Sequence, residues 1–155
     1  MAIDIRAELS TIERLVQLSG HLLDRQDFRG WLELFDEESS YEVTAYSAEI
    51  RQHMAWWRSD RSELAKMLEE VPRHVSDPSR RLHIISPPVL ELSGEEAAGT
   101  ANFAVFRSGL DGETSLYVVG HYEDRFVKKG DGWRYSSRRA VLQTRMLDIP
   151  THVPI

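Results

Sequence analysis

The sequence predicts an α+β domain, with helices first and a run of antiparallel strands after them. Three observations carry this. Apolar residues recur at three- and four-residue steps near the start, whereas beyond Arg80 they alternate in twos between turn residues. The 155 residues contain no internal repeat or low-complexity linker, and a chain of this length can bury one core without staples. Helices followed by strands is the order in which helices cover one face of a curved sheet.

Ile5, Leu9, Ile12, Val16 and Leu23, widened by Leu15, Leu18 and Leu22, predict an amphipathic helix over 5–23. Asp27 stands as an N-cap before Trp31, Leu32 and Phe35, which predicts a second, short helix. In residues 40–46, Tyr41, Val43 and Ala45 alternate with Glu42, Thr44 and Tyr46, as in a strand with one face on a core. The stretch 50–58 has no clear period. Asp60-Arg61-Ser62-Glu63 starts a helix carrying Leu64, Met67, Leu68 and Val71, which Pro72 is expected to end. Ser76-Asp77-Pro78-Ser79 reads as a turn. Strands are then expected over 82–92, broken at Pro87-Pro88, and over 98–107, 114–127 and 133–145. Ser93-Gly94, Asp111-Gly112 and the stretch 128–132 are the turns between them.

Composition excludes several functions. A formal net charge of −6 does not provide the concentrated Lys/Arg surface that phosphate neutralisation needs, so no nucleic-acid partner is expected. The first ten residues include Asp4, Arg6 and Glu8, which interrupt any signal-peptide core, and no stretch approaches the ~20 apolar residues that span a bilayer. A cytoplasmic protein without a membrane partner is expected. With no cysteine there is no disulfide and no thiolate-held cluster. The six histidines include no convincing pair at i, i+4 on a helix, so no metal is expected on this chain.

The remaining candidates are contact residues. Trp56 and Trp57, adjacent and followed by Arg58, cannot easily both face inward, and exposed aromatics are frequent anchors of interfaces. Arg138 and Arg139 must point to opposite faces of the last strand, so one needs a partner if the other meets solvent. Together with Arg145, and with His121, Glu123 and Arg125 on one face of the preceding strand, they mark a polar surface capable of pairing across subunits. His83 has two readings. It is either a hydrogen-bonded residue at the sheet's edge or a general base inside the domain, working with Asp24, Tyr41 or Tyr46.

Three segments carry a family resemblance: Arg80-Arg81-Leu82-His83-Ile84-Ile85-Ser86, Gly120-His121-Tyr122-Glu123-Asp124-Arg125-Phe126, and Trp133-Arg134-Tyr135-Ser136-Ser137-Arg138-Arg139-Ala140-Val141-Leu142. In order and spacing they resemble the β subunits of Rieske-type aromatic ring-hydroxylating oxygenases, which have the nuclear transport factor 2-like, or SnoaL-like, cone fold. Leu82 and Tyr122 stand where that family often has Arg. Asp77-Pro78 and the Pro-Ile terminus are similar to those of small subunits acting on aromatic acids, such as the salicylate 5-hydroxylase type. The resemblance implies a single non-catalytic, structural domain over 1–155. Its partner would be an α subunit holding the Rieske 2Fe–2S cluster and a mononuclear Fe(II), and three copies would form a homotrimer within an α₃β₃ hexamer. No catalytic or cofactor-binding residue is implied on this chain. The competing expectation is a stand-alone isomerase or dehydratase of the same cone fold, using an internal acid–base pocket.

Overall fold

The computed structural model describes residues 2–74, 77–130, 132–147, 151 and 153–155, apart from the side chains of Arg73 and His74. Helix α1 (Ile5–Asp24) begins at Asp4, whose carboxylate accepts the backbone N–H groups of Arg6 and Ala7. It lays Ile12, Leu15, Val16, Leu22 and Leu23 on the core. The chain then turns through Gln26 at φ 58 into α2 (Phe28–Glu33), where Asp27 caps Gly30. Trp31 of α2 is fully buried against Phe35 and Tyr41, with ring centroids 4.6 and 5.4 Å apart. Each such aromatic pair adds ~0.5–1.5 kcal/mol beyond its buried area.

The strands are β1 (Phe35–Ser47), β2 (Gln52–Asp60), β3 (Arg80–Ile85), β4 (Val89–Ser93), β5 (Glu96–Ser108), β6 (Thr114–Lys129) and β7 (Gly132–Leu142). Between β2 and β3 lies α3 (Arg61–His74), opened by a reciprocal cap: the Glu63 N–H donates to Asp60 Oδ1 and the Asp60 N–H to Glu63 Oε2. The strand order is β2-β1-β7-β6-β5-β3, with β4 also paired to β5. All pairings are antiparallel except that of β1 with β7. The helices pack on one face, where Tyr41, Val43, Phe103, Val105, Tyr122, Phe126, Tyr135 and Ala140 are buried. This is the expected α+β arrangement of helices on one side of a mostly antiparallel sheet.

Three local expectations change. Residues 52–60 form a strand, the edge β2, whose alternation is hidden by a bulge at Trp56, which falls between the partners of Val43 and Thr44. Pro72 lies inside α3, which continues to His74. The expected break of the 82–92 stretch at Pro87-Pro88 is present, with β3 ending at Ile85 and β4 beginning at Val89. The last strand ends at Leu142, so Arg145 lies beyond it. Of the expected turns, Ser76 and Asp131 fall outside the described residues, while Gly94, Gly112 and Gly130 take φ of 63, 82 and 58.

Candidate functional site

Among the described residues no helix covers the outer face of the sheet, and register decides what that face displays. Arg58 on β2 sits opposite Glu42 on β1, Glu42 opposite Arg139 on β7, and Arg139 opposite Glu123 on β6. The charges alternate across four strands. Arg58 Nη2 is 3.0 Å from Glu42 Oε1, Arg139 Nε is 3.8 Å from Glu42 Oε2, Arg139 Nη1 is 3.5 Å from Glu123 Oε2, and His121 Nε2 is 3.3 Å from Glu123 Oε1. Exposed Arg125 extends the row beside Glu123. Exposed pairs of this kind contribute only ~0.2–1 kcal/mol each to folding, so the ladder shapes a surface more than it stabilises the fold.

The same face turns apolar toward the other edge. Leu82 of β3 is opposite Phe106 of β5, which is opposite Leu116 of β6, and Ile84 lies two residues along from Leu82. Leu82, Ile84 and Leu116 are each more than half exposed (54%, 54% and 53%), an unusual cost on a surface that nothing covers.

The inner face is the opposite case. Arg138, expected near a contact, is completely buried. Its Nε and Nη2 each lie 2.9 Å from the two oxygens of Asp124, its Nη1 donates to Ser19 Oγ of α1, and its guanidinium lies 3.7 and 4.5 Å from the ring centres of Tyr122 and Tyr135. Burial opposes the Arg138 charge, and the Asp124 carboxylate more than offsets it, holding the guanidinium pKa above its ordinary value. Burial also pushes up the phenols of Tyr122 and Tyr135, against the pull of Arg138. An ion pair and four aromatic rings, counting Phe103 and Phe126, fill the middle of the cone. Arg138 is therefore a core residue of this chain, and Arg139 alone of the two faces outward.

His83 is also buried, its side chain 2% exposed. Its Nδ1 lies 2.6 Å from Asp24 Oδ1, and its backbone N–H donates to the same carboxylate at 3.0 Å. The strand edge and the end of α1 are thereby tied together. Its Nε2 is buried without a hydrogen-bond partner. Such a dyad has the form of an oriented base, so the structure supplies the Asp24 partner that the acid–base reading requires. The tryptophans divide. Trp57 packs edge-on to Tyr41 at 5.3 Å and donates its indole N–H to Ser59, while Trp56 is 41% exposed beside Met54 and Tyr46. Arg145 is exposed and paired with Glu49 at 2.6 Å. Glu42, the centre of the ladder, was not among the expected residues. The alternation over 40–46 had put it on the outer face, but nothing local shows that β7 lies alongside.

The residues present do not fit a Rieske centre, which needs two cysteines. Among the described residues no three His, Asp or Glu side chains converge as a metal site. No described helix is long and apolar enough to cross a membrane.

Comparison with known proteins gives a consistent family. The model of the SnoaL-like domain matches residues 6–139. The chain is 32% identical to the 2-aminobenzenesulfonate 2,3-dioxygenase subunit β of an Alcaligenes species over 94% of its own length and 97% of that protein's. It is also 32% identical to the methanesulfonate monooxygenase hydroxylase subunit β of Methylosulfonomonas methylovora, over 86% of this chain and 80% of the other. Among solved structures, a β subunit from Novosphingobium aromaticivorans, assigned to an aromatic-ring-hydroxylating dioxygenase, superposes with a TM-score of 0.82 at 26% identity. That match covers 91% of this chain and 92% of the other.

Proposed function

We propose that this chain, which belongs to the SnoaL-like family and within it to the β subunits of ring-hydroxylating oxygenases, is the non-catalytic structural subunit of such an enzyme complex. Its role is to bind and steady a larger α subunit, which holds the Rieske 2Fe–2S cluster and the mononuclear Fe(II). There, electrons from reduced carriers and O₂ hydroxylate an aromatic ring. In the cytoplasm three copies associate as a homotrimer and support three α subunits in an α₃β₃ hexamer.

The observation that carries this reading is the contrast between the two faces of the sheet. The centre of the inner face, where an isomerase or dehydratase of this fold would need room, is filled by the Arg138–Asp124 pair and its aromatic neighbours, and the remaining space lies at one end. The outer face exposes a row of apolar side chains next to an ordered ladder of charge. Apolar contact supplies affinity and alternating charge fixes register, the division of labour expected of a specific interface. Trp56, Arg125 and Arg145 border this surface or lie beyond β7 as further contact candidates, whereas Trp57, His83 and Arg138 serve from within the fold.

The test is co-expression with the iron-bearing α subunit, followed by native mass measurement. The expected result is one hetero-oligomer, lost or reduced in mass in a Leu82→Asp, Ile84→Asp variant that retains its helical and strand signal. Turnover of a ring substrate by the isolated chain at enzymatic speed, or an unchanged oligomer in that variant, would refute the proposal.

A further inference from the structure

A cavity of about 470 Å³ opens at one end of the inner face, between the end of α1, the start of α2, the last turn of α3 and β3, away from the surfaces assigned above to assembly. It is within the ~300–1,000 Å³ of small-molecule sites. Leu23, Phe28 and Val71 give it an apolar wall, and Asp24, Asp77 and Arg81 give it a polar one.

The three charged groups are not equivalent. Asp77 receives Arg107 through two nitrogens, at 2.9 and 3.2 Å, and also the N–H and hydroxyl of Ser79. Asp24 receives the ring nitrogen and the backbone N–H of His83. Both carboxylates are thus already held. Arg81, half-buried, meets no carboxylate among the described residues. It lies 4.5 Å over the Tyr117 ring, donates to Thr151 Oγ1 at 3.1 Å and reaches the Tyr117 hydroxyl only at 3.5 Å. A guanidinium carries five donors, and neutral partners occupy two of them here. A half-buried cation of this kind, beside an apolar wall, is the usual means of fixing the head of an amphipathic anion.

We propose that this cavity binds a small organic carboxylate, its anionic head on Arg81 and its apolar body against Leu23, Phe28 and Val71. The site is separate from the outer sheet face, and the inference does not depend on the structural reading of that face.

The experiment is calorimetric titration of the purified full chain with benzoate, and with benzamide as the neutral molecule of the same shape. Saturable binding of benzoate is expected, with benzamide at least about tenfold weaker, since a charge-assisted contact is lost. Arg81→Gln should weaken benzoate by about tenfold or more, and Arg81→Lys by less, because it keeps the charge without the planar fork. If Arg81→Gln does not fold, the comparison of benzoate with benzamide on the unaltered chain decides. No saturable benzoate binding, equal binding of benzamide, or undiminished binding by folded Arg81→Gln overturns the proposal. A chain that assembles normally yet ignores benzoate refutes this inference alone.

Discussion

Substituting Asp124 by Leu tests how the core tolerates the enclosed Arg138–Asp124 ion pair. The change removes both acceptors of Arg138, each 2.9 Å away, and leaves a guanidinium with no solvent exposure and only Ser19 as a hydrogen-bond partner. Removing one partner of a buried pair costs ~3–5 kcal/mol, because the remaining charge keeps its desolvation penalty without compensation. For a chain of this size that is a fall in melting temperature of roughly 6–20 °C. Arg138→Met alone should cost less, since the remaining carboxyl can take up a proton and become neutral. The double variant, Asp124→Leu with Arg138→Met, should recover most of the loss, because an apolar pair of similar volume removes both penalties. Urea unfolding followed by tryptophan fluorescence, analysed as a double-mutant cycle, should give a coupling of at least ~2 kcal/mol. A cost below ~1 kcal/mol for Asp124→Leu, or single losses that add within ~0.5 kcal/mol, would refute the picture of a sealed, mutually dependent pair.

Arg107 holds the Asp77 carboxyl well below the usual carboxylate range, so its contribution is present above the unfolded-state pKa of ~3.9 and fades as pH falls below it. The acid-unfolding curves of wild type and Asp77→Asn should therefore separate above pH ~4 and converge at lower pH, and parallel curves throughout would count against it. Gly120→Ala places a methyl group against the Val141 carbonyl oxygen and the Phe103 ring, so loss of soluble protein or a large fall in melting temperature is expected by scanning calorimetry. His83→Ala removes the ring contact with Asp24 while keeping the backbone N–H bond, and should lower stability by ~1–3 kcal/mol in denaturant titration, while turnover per assembled complex is unchanged. A selective loss of turnover at full assembly would instead make the dyad catalytic. Tyr41→Phe removes both hydrogen bonds between its hydroxyl and the backbone of Ile155, a loss of ~1–2 kcal/mol measurable by the same titration.

What could be read locally depended on period and on caps. The 3.6-residue spacing from Ile5 to Leu23 gives α1 within a residue of its end, and Asp27 and Asp60 mark where α2 and α3 begin because a capping carboxylate acts within three residues of itself. Pro72 misleads because it stands near the end of α3, where few hydrogen bonds remain to be broken, and β2 is obscured because its own bulge at Trp56 disturbs the alternation. Arg138 and Arg139 show the boundary most clearly. Strand geometry requires that they part, and the requirement that one find a partner follows from the chain alone. Which of them turns inward is set by Asp124 on β6 and Ser19 on α1, residues 14 and 119 positions away.

By itself the sequence determined the kind of molecule: an α+β fold without cysteine, with a helix-then-strand order and segments shared with oxygenase β subunits. Only the tertiary structure decided how those residues are distributed. The parallel pairing of β1 with β7 brings Glu42 between Arg58 and Arg139, the register of β3, β5 and β6 lines up Leu82, Phe106 and Leu116, and the packing of α1 on β3 joins His83 to Asp24. The physical reason is one of range. Caps and periodicity express forces between near neighbours in the chain, whereas the pairing of charges and the exposure of an apolar row depend on contacts between segments that meet only after folding.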